Sequence, residues 1–137
     1  MSKSDENENA VVRILDPRDV IIRKFKRAVT DSGSEICRGE GKDGIMNLMS
    51  IYGAFTGKSM DEIEREFSGV GYGDFKLAVG EACADALSGV QNEFARLSAD
   101  KAYLESIMKE GAEAAAYMAR RTMSKVYRKI GFVELPR

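Results

Sequence analysis

The 137 residues contain no histidine. The imidazole is the side chain that titrates nearest neutrality and the commonest protein ligand for metals, so its absence removes the usual proton shuttle. Cysteine is scarce as well. Cys37 and Cys83 form no CxxC pair, and no His completes a zinc site. They read as reduced thiols of a cytosolic protein, with Cys83 packed in a helix, although spacing alone leaves a disulfide open. No apolar run approaches the ~18 residues of a membrane span, and the N-terminus is polar where a signal peptide would be apolar. An excess of positive charge is also missing: 21 Lys and Arg stand against 22 Asp and Glu. Any nucleic-acid site must therefore be local.

What is present suits one compact domain or slightly more, with 44% hydrophobic residues to build a core. Residues 1–9 are polar and read as a tail or loop. Residues 10–15 form a short run with β-branched Val11, Val12 and Ile14 and read as strand-like or extended. Asp16-Pro17-Arg18-Asp19 reads as a helix start, with Asp16 as cap and Pro17 at the first helical position. That helix places Val20, Ile21, Phe25, Ala28 and Val29 near one face and is expected to end near residues 30–33. Residues 34–42 read as a loop. A second helix fits Asp43 to Phe55, closed by Gly57, and Ser59 with Glu62 forms a capping box that opens a short acidic helix through Phe67. Gly69, Gly71 and Gly73 point to a tight turn over 68–73. Two long helices follow, about Asp74 to Leu97 and Lys101 to Ile130, with Gly131 as a stop. No segment alternates apolar and polar residues convincingly, so the fold class is all-α, a helical bundle.

Several motifs compete with simpler explanations. Thr56-Gly57-Lys58-Ser59 ends like a phosphate-binding P-loop, but that motif needs glycine where this chain has Tyr52, and a strand upstream. The capping box accounts for the same residues. The segment 18–27 carries Arg18, Arg23, Lys24, Lys26 and Arg27, and a second basic cluster of Arg120, Arg121, Lys125, Arg128 and Lys129 ends the last helix. Either is a solvated helix face in the plain reading and a phosphate-facing surface in the functional one. Tyr52, Phe55, Tyr72, Phe75, Phe94 and Tyr103 read mostly as core. Tyr72, set between glycines, is the candidate for base stacking.

The opening MSKSD is similar to the KMSKS loop of class I aminoacyl-tRNA synthetases without its first lysine. The later segments DPRDVIIRKFKRAVTDSG, GIMNLMSIYGAFTGKS, GYGDFK and EGAEAAAYMARRTMSKVYRKIGF follow in the order found in bacterial tryptophanyl-tRNA synthetases. The chain resembles that family over nearly its whole length, and tyrosyl-tRNA synthetases share the fold but fit the later segments less well. The resemblance implies a ligase that activates tryptophan with ATP and Mg2+ and transfers it to tRNA(Trp). It implies that Lys3 follows the charge developing on pyrophosphate as a catalytic lysine, and that Met1, Ser2, Lys3 and Ser4 form the ATP-binding loop. It further implies a cytoplasmic homodimer whose Rossmann domain lies upstream, so that the chain is a C-terminal fragment inactive by itself, with no cofactor bound to it.

On this resemblance residues 1–9 are the partial loop and 10–90 the helical anticodon-binding domain. Residues 91–137 are helices that return toward the catalytic domain in the full enzyme. The cations Arg18, Arg23, Lys24, Lys26 and Arg27 are then the first tRNA-binding candidates. The alternative is a stand-alone helical protein-interaction module, supported by the near-neutral charge and the long amphipathic helices. An unpartnered apolar face on the last helix leads to the expectation of self-association. Light scattering at high concentration tests it, and a monodisperse monomer would contradict it.

Overall fold

Apolar residues recur at helical spacing along most of the chain, and helices form there. The computed structural model describes residues 7–132, except for the side chain of Glu8. A short 3-10 turn, Glu8–Ala10, precedes α1 (Arg18–Lys26), α2 (Asp43–Thr56), α3 (Met60–Glu66), α4 (Tyr72–Ala99) and α5 (Lys101–Ile130). Among the described residues there is no strand, in agreement with the all-α reading. The stretch after the 3-10 turn is irregular, extended at Val11 and turning at Ile14 and Leu15. By its internal contacts the chain divides into two units, the first running to Asn92 and the second starting at Glu93 within α4.

The core of the first unit takes one stripe from each helix. Ile21 and Phe25 come from α1, Ile45, Leu48, Met49 and Tyr52 from α2, Ile63 from α3, and Phe75, Val79 and Cys83 from α4. At its centre Tyr52, Phe67 and Phe75 meet edge to face, with ring centroids 5.3, 5.9 and 4.8 Å apart. This is the arrangement that ring quadrupoles favour. Ile36 adds the loop between α1 and α2 to the same core. The loop is held from outside by Arg38, whose guanidinium bonds the carboxylates of Asp61 and Glu64 on α3.

Local signals explain most helix ends. The Ser59 hydroxyl accepts from the Glu62 backbone N–H, and the Glu62 carboxylate accepts from the Ser59 N–H at 2.7 Å, so the capping box is present. Gly57 closes α2 with φ 75°, the left-handed conformation that lacks steric cost only for glycine. The Asp100 side chain accepts from the Tyr103 N–H and starts α5 after a one-residue break.

Three expectations are corrected. Asp16 does not cap α1: Pro17 is the N-cap residue, without a side-chain bond, and Arg18 is the first helical residue. The Asp16 carboxylate instead accepts from the Arg13 N–H at 2.9 Å and from Lys24 Nζ at 2.6 Å. Secondly, α1 stops at Lys26, short of residues 30–33, because the chain must leave the helix to cross α2. A Cβ at Gly44 would lie 2.7 Å from the Val29 carbonyl oxygen and 3.0 Å from Thr30 Cα, so backbone runs against backbone there. The Ala28 carbonyl released at this end accepts from Lys76 Nζ at 2.8 Å. Thirdly, Tyr72 and Gly73 belong to α4 rather than to the turn before it.

No residue of α5 is buried. Leu104, Ile107, Met108, Met118, Val126 and Ile130 are exposed along it. Among the described residues no helix is long and apolar enough to cross a membrane.

Candidate nucleic-acid interface

Helix α1 lies with Ile21 and Phe25 inward and its cations distributed around the remainder. The structure divides those cations into two groups. Arg18 is paired with Asp85 of α4. Lys24 is turned inward: its side chain is only 9% exposed, and its ammonium bonds both Asp16 and, at 2.7 Å, the Val11 carbonyl. Lys24, one of the tRNA-binding candidates, is thus a strut tying the segment before α1 to the helix. Burial pushes the Asp16 carboxyl up, but the hydrogen bonds from Lys24 and the Arg13 N–H and the nearby charges outweigh it. The carboxyl is held below its ordinary range. Arg23, Lys26 and Arg27 are exposed and have no ion-pair partner among the described residues. Their i, i+3, i+4 spacing sets them side by side on the helix surface.

Beside Arg27 opens a groove of about 590 Å³. It is lined by Ala10, Val12 and Ile14 of the segment before α1, by Phe25 of α1, by Asn47, Leu48, Ile51 and Phe55 of α2, and by Cys83 and Leu87 of α4. Sequence reasoning placed Phe55 in the core, but it is 41% exposed and faces this groove. Phe94 and Tyr103 are likewise exposed. Asn47 was no candidate from the sequence, although a signal existed. Gly44, Asn47, Ile51 and Ala54 follow helical spacing beside the core stripe of Ile45, Leu48 and Tyr52, so α2 has a second face with a job to do.

Tyr72 is not a free stacking platform. Its hydroxyl donates to the Asp31 carboxylate at 2.9 Å, and Lys42 Nζ donates to it at 3.4 Å. Burial and the carboxylate both push the Tyr72 phenol up, while the hydrogen bond from the Gly33 N–H and that from the phenol hold Asp31 low. This cluster ties the loop after α1 to the start of α4. The residues that mimic a P-loop are also in structural use. Lys58 pairs with Glu66 at 2.6 Å and lies over the Tyr52 ring, and Ser59 is the cap of α3. Both cysteines are free thiols, Cys83 buried and Cys37 half-buried. The basic cluster Arg120, Arg121, Lys125, Arg128 and Lys129 lies exposed on α5, in the second unit. The ATP-loop residues Met1, Ser2, Lys3 and Ser4 lie outside the described residues. Among those described, no cluster of His, Cys, Asp and Glu could hold a metal ion.

The first unit is a helical domain with a groove and, among the described residues, three neighbouring cations that have no ion-pair partner. The model of the family described as tRNA synthetases class I (W and Y) matches residues 1–88, and the chain belongs to that family. Its relatives lie on the tryptophan side. The chain is 45% identical over 133 residues to the tryptophan–tRNA ligase of Clostridium tetani, an alignment covering 97% of this chain and 39% of the relative. It is 44% identical to the tryptophan–tRNA ligase of Clostridium acetobutylicum, with 97% and 40% covered. Among solved structures, the tryptophanyl-tRNA synthetase of Mycoplasma pneumoniae superposes with a TM-score of 0.66 at 27% identity, covering 97% of this chain and 41% of that one. The chain therefore spans about two fifths of the length of these relatives.

Proposed function

We propose that the chain is the C-terminal, tRNA-handling part of a tryptophan–tRNA ligase, and that the exposed ridge of Arg23, Lys26 and Arg27 contacts tRNA phosphates around the anticodon. The observation that carries this reading is the match to tryptophan–tRNA ligases across nearly the whole chain, joined to three cations with no partner among the described residues. Guanidinium groups form charge-assisted, bidentate bonds with phosphate, and loop bases of tRNA are unpaired and open to contact. Arg18 stands at the edge of this surface. Its guanidinium is half exposed, so exchanging Asp85 for a phosphate exposes no buried charge.

In the whole enzyme, ATP with Mg2+ activates tryptophan and the acyl group passes to the tRNA 3′ end. In this reading Lys3, with Met1, Ser2 and Ser4 around it, follows the charge on the departing pyrophosphate. Lysine suits that task as a mobile point charge. A cytoplasmic homodimer belongs to the same proposal.

Fluorescence anisotropy of the chain with tRNA(Trp) and a non-cognate tRNA, across a salt titration, tests it. The expected result is cognate preference, with a log–log salt slope that becomes shallower by about 0.7–1 for each of Arg23→Ala and Arg27→Ala. An unchanged slope in both variants removes the ridge from the interface. Absence of any preference for the cognate tRNA removes the anticodon role.

A further inference from the structure

We infer that a ridge on α5, made of Arg121, Lys125 and Arg128, holds the phosphate backbone of a tRNA stem outside the anticodon arm, as a second RNA contact carried by the second unit. The inference rests on the tRNA reading and deepens it, by adding a contact that positions the RNA without reading its sequence.

The charges of α5 are sorted along its length. In its first half Lys101 and Lys109 stand against Glu105, Glu110 and Glu113. Glu105, Lys109 and Glu113 alternate in sign at i, i+4 spacing, the pattern of a solvated helix face. From Ala114 to Ile130 there is no acid, and Arg120, Arg121, Lys125, Arg128 and Lys129 follow in close order. All five are exposed, and none has an ion-pair partner among the described residues. The helix dipole accounts for Arg128 and Lys129 in the last turn. Its influence fades within that turn, and Arg120 and Arg121 lie more than two turns before Ile130. Arg121 with Lys125, and Lys125 with Lys129, are like charges at i, i+4, a spacing at which repulsion weakens a helix. No buried residue of α5 offsets that cost. A polyanion laid along the ridge removes it.

Shape and charge together select the occupant. Arg121, Lys125 and Arg128 follow i, i+4, i+7 spacing and form a straight row about 10 Å long, at 1.5 Å per residue. Met118 and Val126, exposed and apolar, belong to a neighbouring row that contains Thr122. A surface that covers the apolar row therefore leaves the cations open. A tRNA stem presents phosphates in a continuous line, and holding it requires neither an amide nor an aromatic reader. An anionic bilayer would favour cations beside the apolar row along the whole helix, and the first half of α5 is instead slightly acidic.

The test uses the full chain with whole tRNA(Trp), with its isolated anticodon stem–loop, and with equimolar phosphatidylcholine–phosphatidylglycerol vesicles, each across a salt titration. Whole tRNA is expected to give a steeper log–log salt slope than the stem–loop. Replacing Arg121, Lys125 and Arg128 together by Ala is expected to make the whole-tRNA slope shallower by about 2–3, roughly 0.9 for each phosphate released, and to leave the stem–loop slope unchanged. Arg121→Lys with Arg128→Lys keeps the charges and is expected to keep the slope. Alanine favours helix, and far-UV circular dichroism checks that α5 persists in the variants. An unchanged whole-tRNA slope in the alanine variant overturns the inference, as does an equal loss with the stem–loop alone. Vesicle binding that disappears in the alanine variant while tRNA binding stays constant also overturns it and assigns the ridge to a lipid surface. A whole-tRNA slope indifferent to this variant but sensitive to Arg23→Ala sinks only the α5 contact and leaves the tRNA reading standing. If neither RNA binds in a salt-dependent way, the tRNA reading itself fails and takes this inference with it.

Discussion

Phe75→Ala is expected to cost the first unit about 3–5 kcal/mol of folding stability, the range for removing a fully buried phenyl group. Phe75 is completely buried, and its ring packs edge to face on Tyr52 and Phe67, so truncation empties the place where α2, α4 and the end of α3 meet. Small domains hold only about 5–15 kcal/mol in total, so the substitution takes a large share of it. Urea denaturation followed by tyrosine fluorescence reads the change as a lowered midpoint. Phe75→Leu keeps most of the volume and is expected to lose less than half as much. A loss below about 1 kcal/mol for Phe75→Ala would mean that the three rings do not form the centre of this core.

Lys24→Met is expected to destabilise the same unit by about 2–3 kcal/mol at neutral pH. That is slightly less than the ~3–5 kcal/mol of a fully buried pair, since both charged groups keep some contact with water. Methionine preserves the length of the side chain and strips the Asp16 carboxylate and the Val11 carbonyl of their ammonium donor. The effect depends on pH in a definite direction. In the folded chain Asp16 is held below its ordinary value, so its contribution to stability is fully present above about pH 4 and is lost as pH falls through the lowered value. The gap between parent and variant is therefore expected to be widest near pH 7 and to narrow below about pH 4, where a protonated Asp16 no longer requires a cation. Urea midpoints at pH 7 and pH 3 measure it. A gap of equal size at both values would show that Lys24 acts by packing its aliphatic stem and not through its charge.

Features decided by neighbours in the chain were legible in the sequence. Ser59 and Glu62 stand three residues apart at a helix start and form the expected box; Gly57 and Gly131 end helices where glycine alone is comfortable in the left-handed conformation. The order of segments led to the right family. Features decided across the fold were not legible. Asp16 before Pro17 carries the local signature of a helix cap, but the Arg13 N–H behind it and Lys24, two turns along α1, together draw the carboxylate elsewhere. The end of α1 depends on the closeness of Gly44 to Val29, two residues from different elements. Five basic residues in 18–27 look equivalent in sequence, but Asp85 and Asp16 remove two of them from the free surface. Phe55 fits the helical apolar pattern as well as Tyr52 does, and which of them turns to the core depends on where α4 comes to lie.

The absence of any buried residue in α5 has a spectroscopic consequence. This helix holds 30 residues, the longest helical segment of the chain, and contributes heavily to ellipticity at 222 nm. Its hydrogen bonds are local, and no apolar burial couples their loss to the melting of the core. At dilution, ellipticity therefore falls gradually on heating while the environment of Tyr52 changes in a sharp step. Superposition of the two curves marks the condition in which another surface covers α5, so paired melts report when the helix has found a cover.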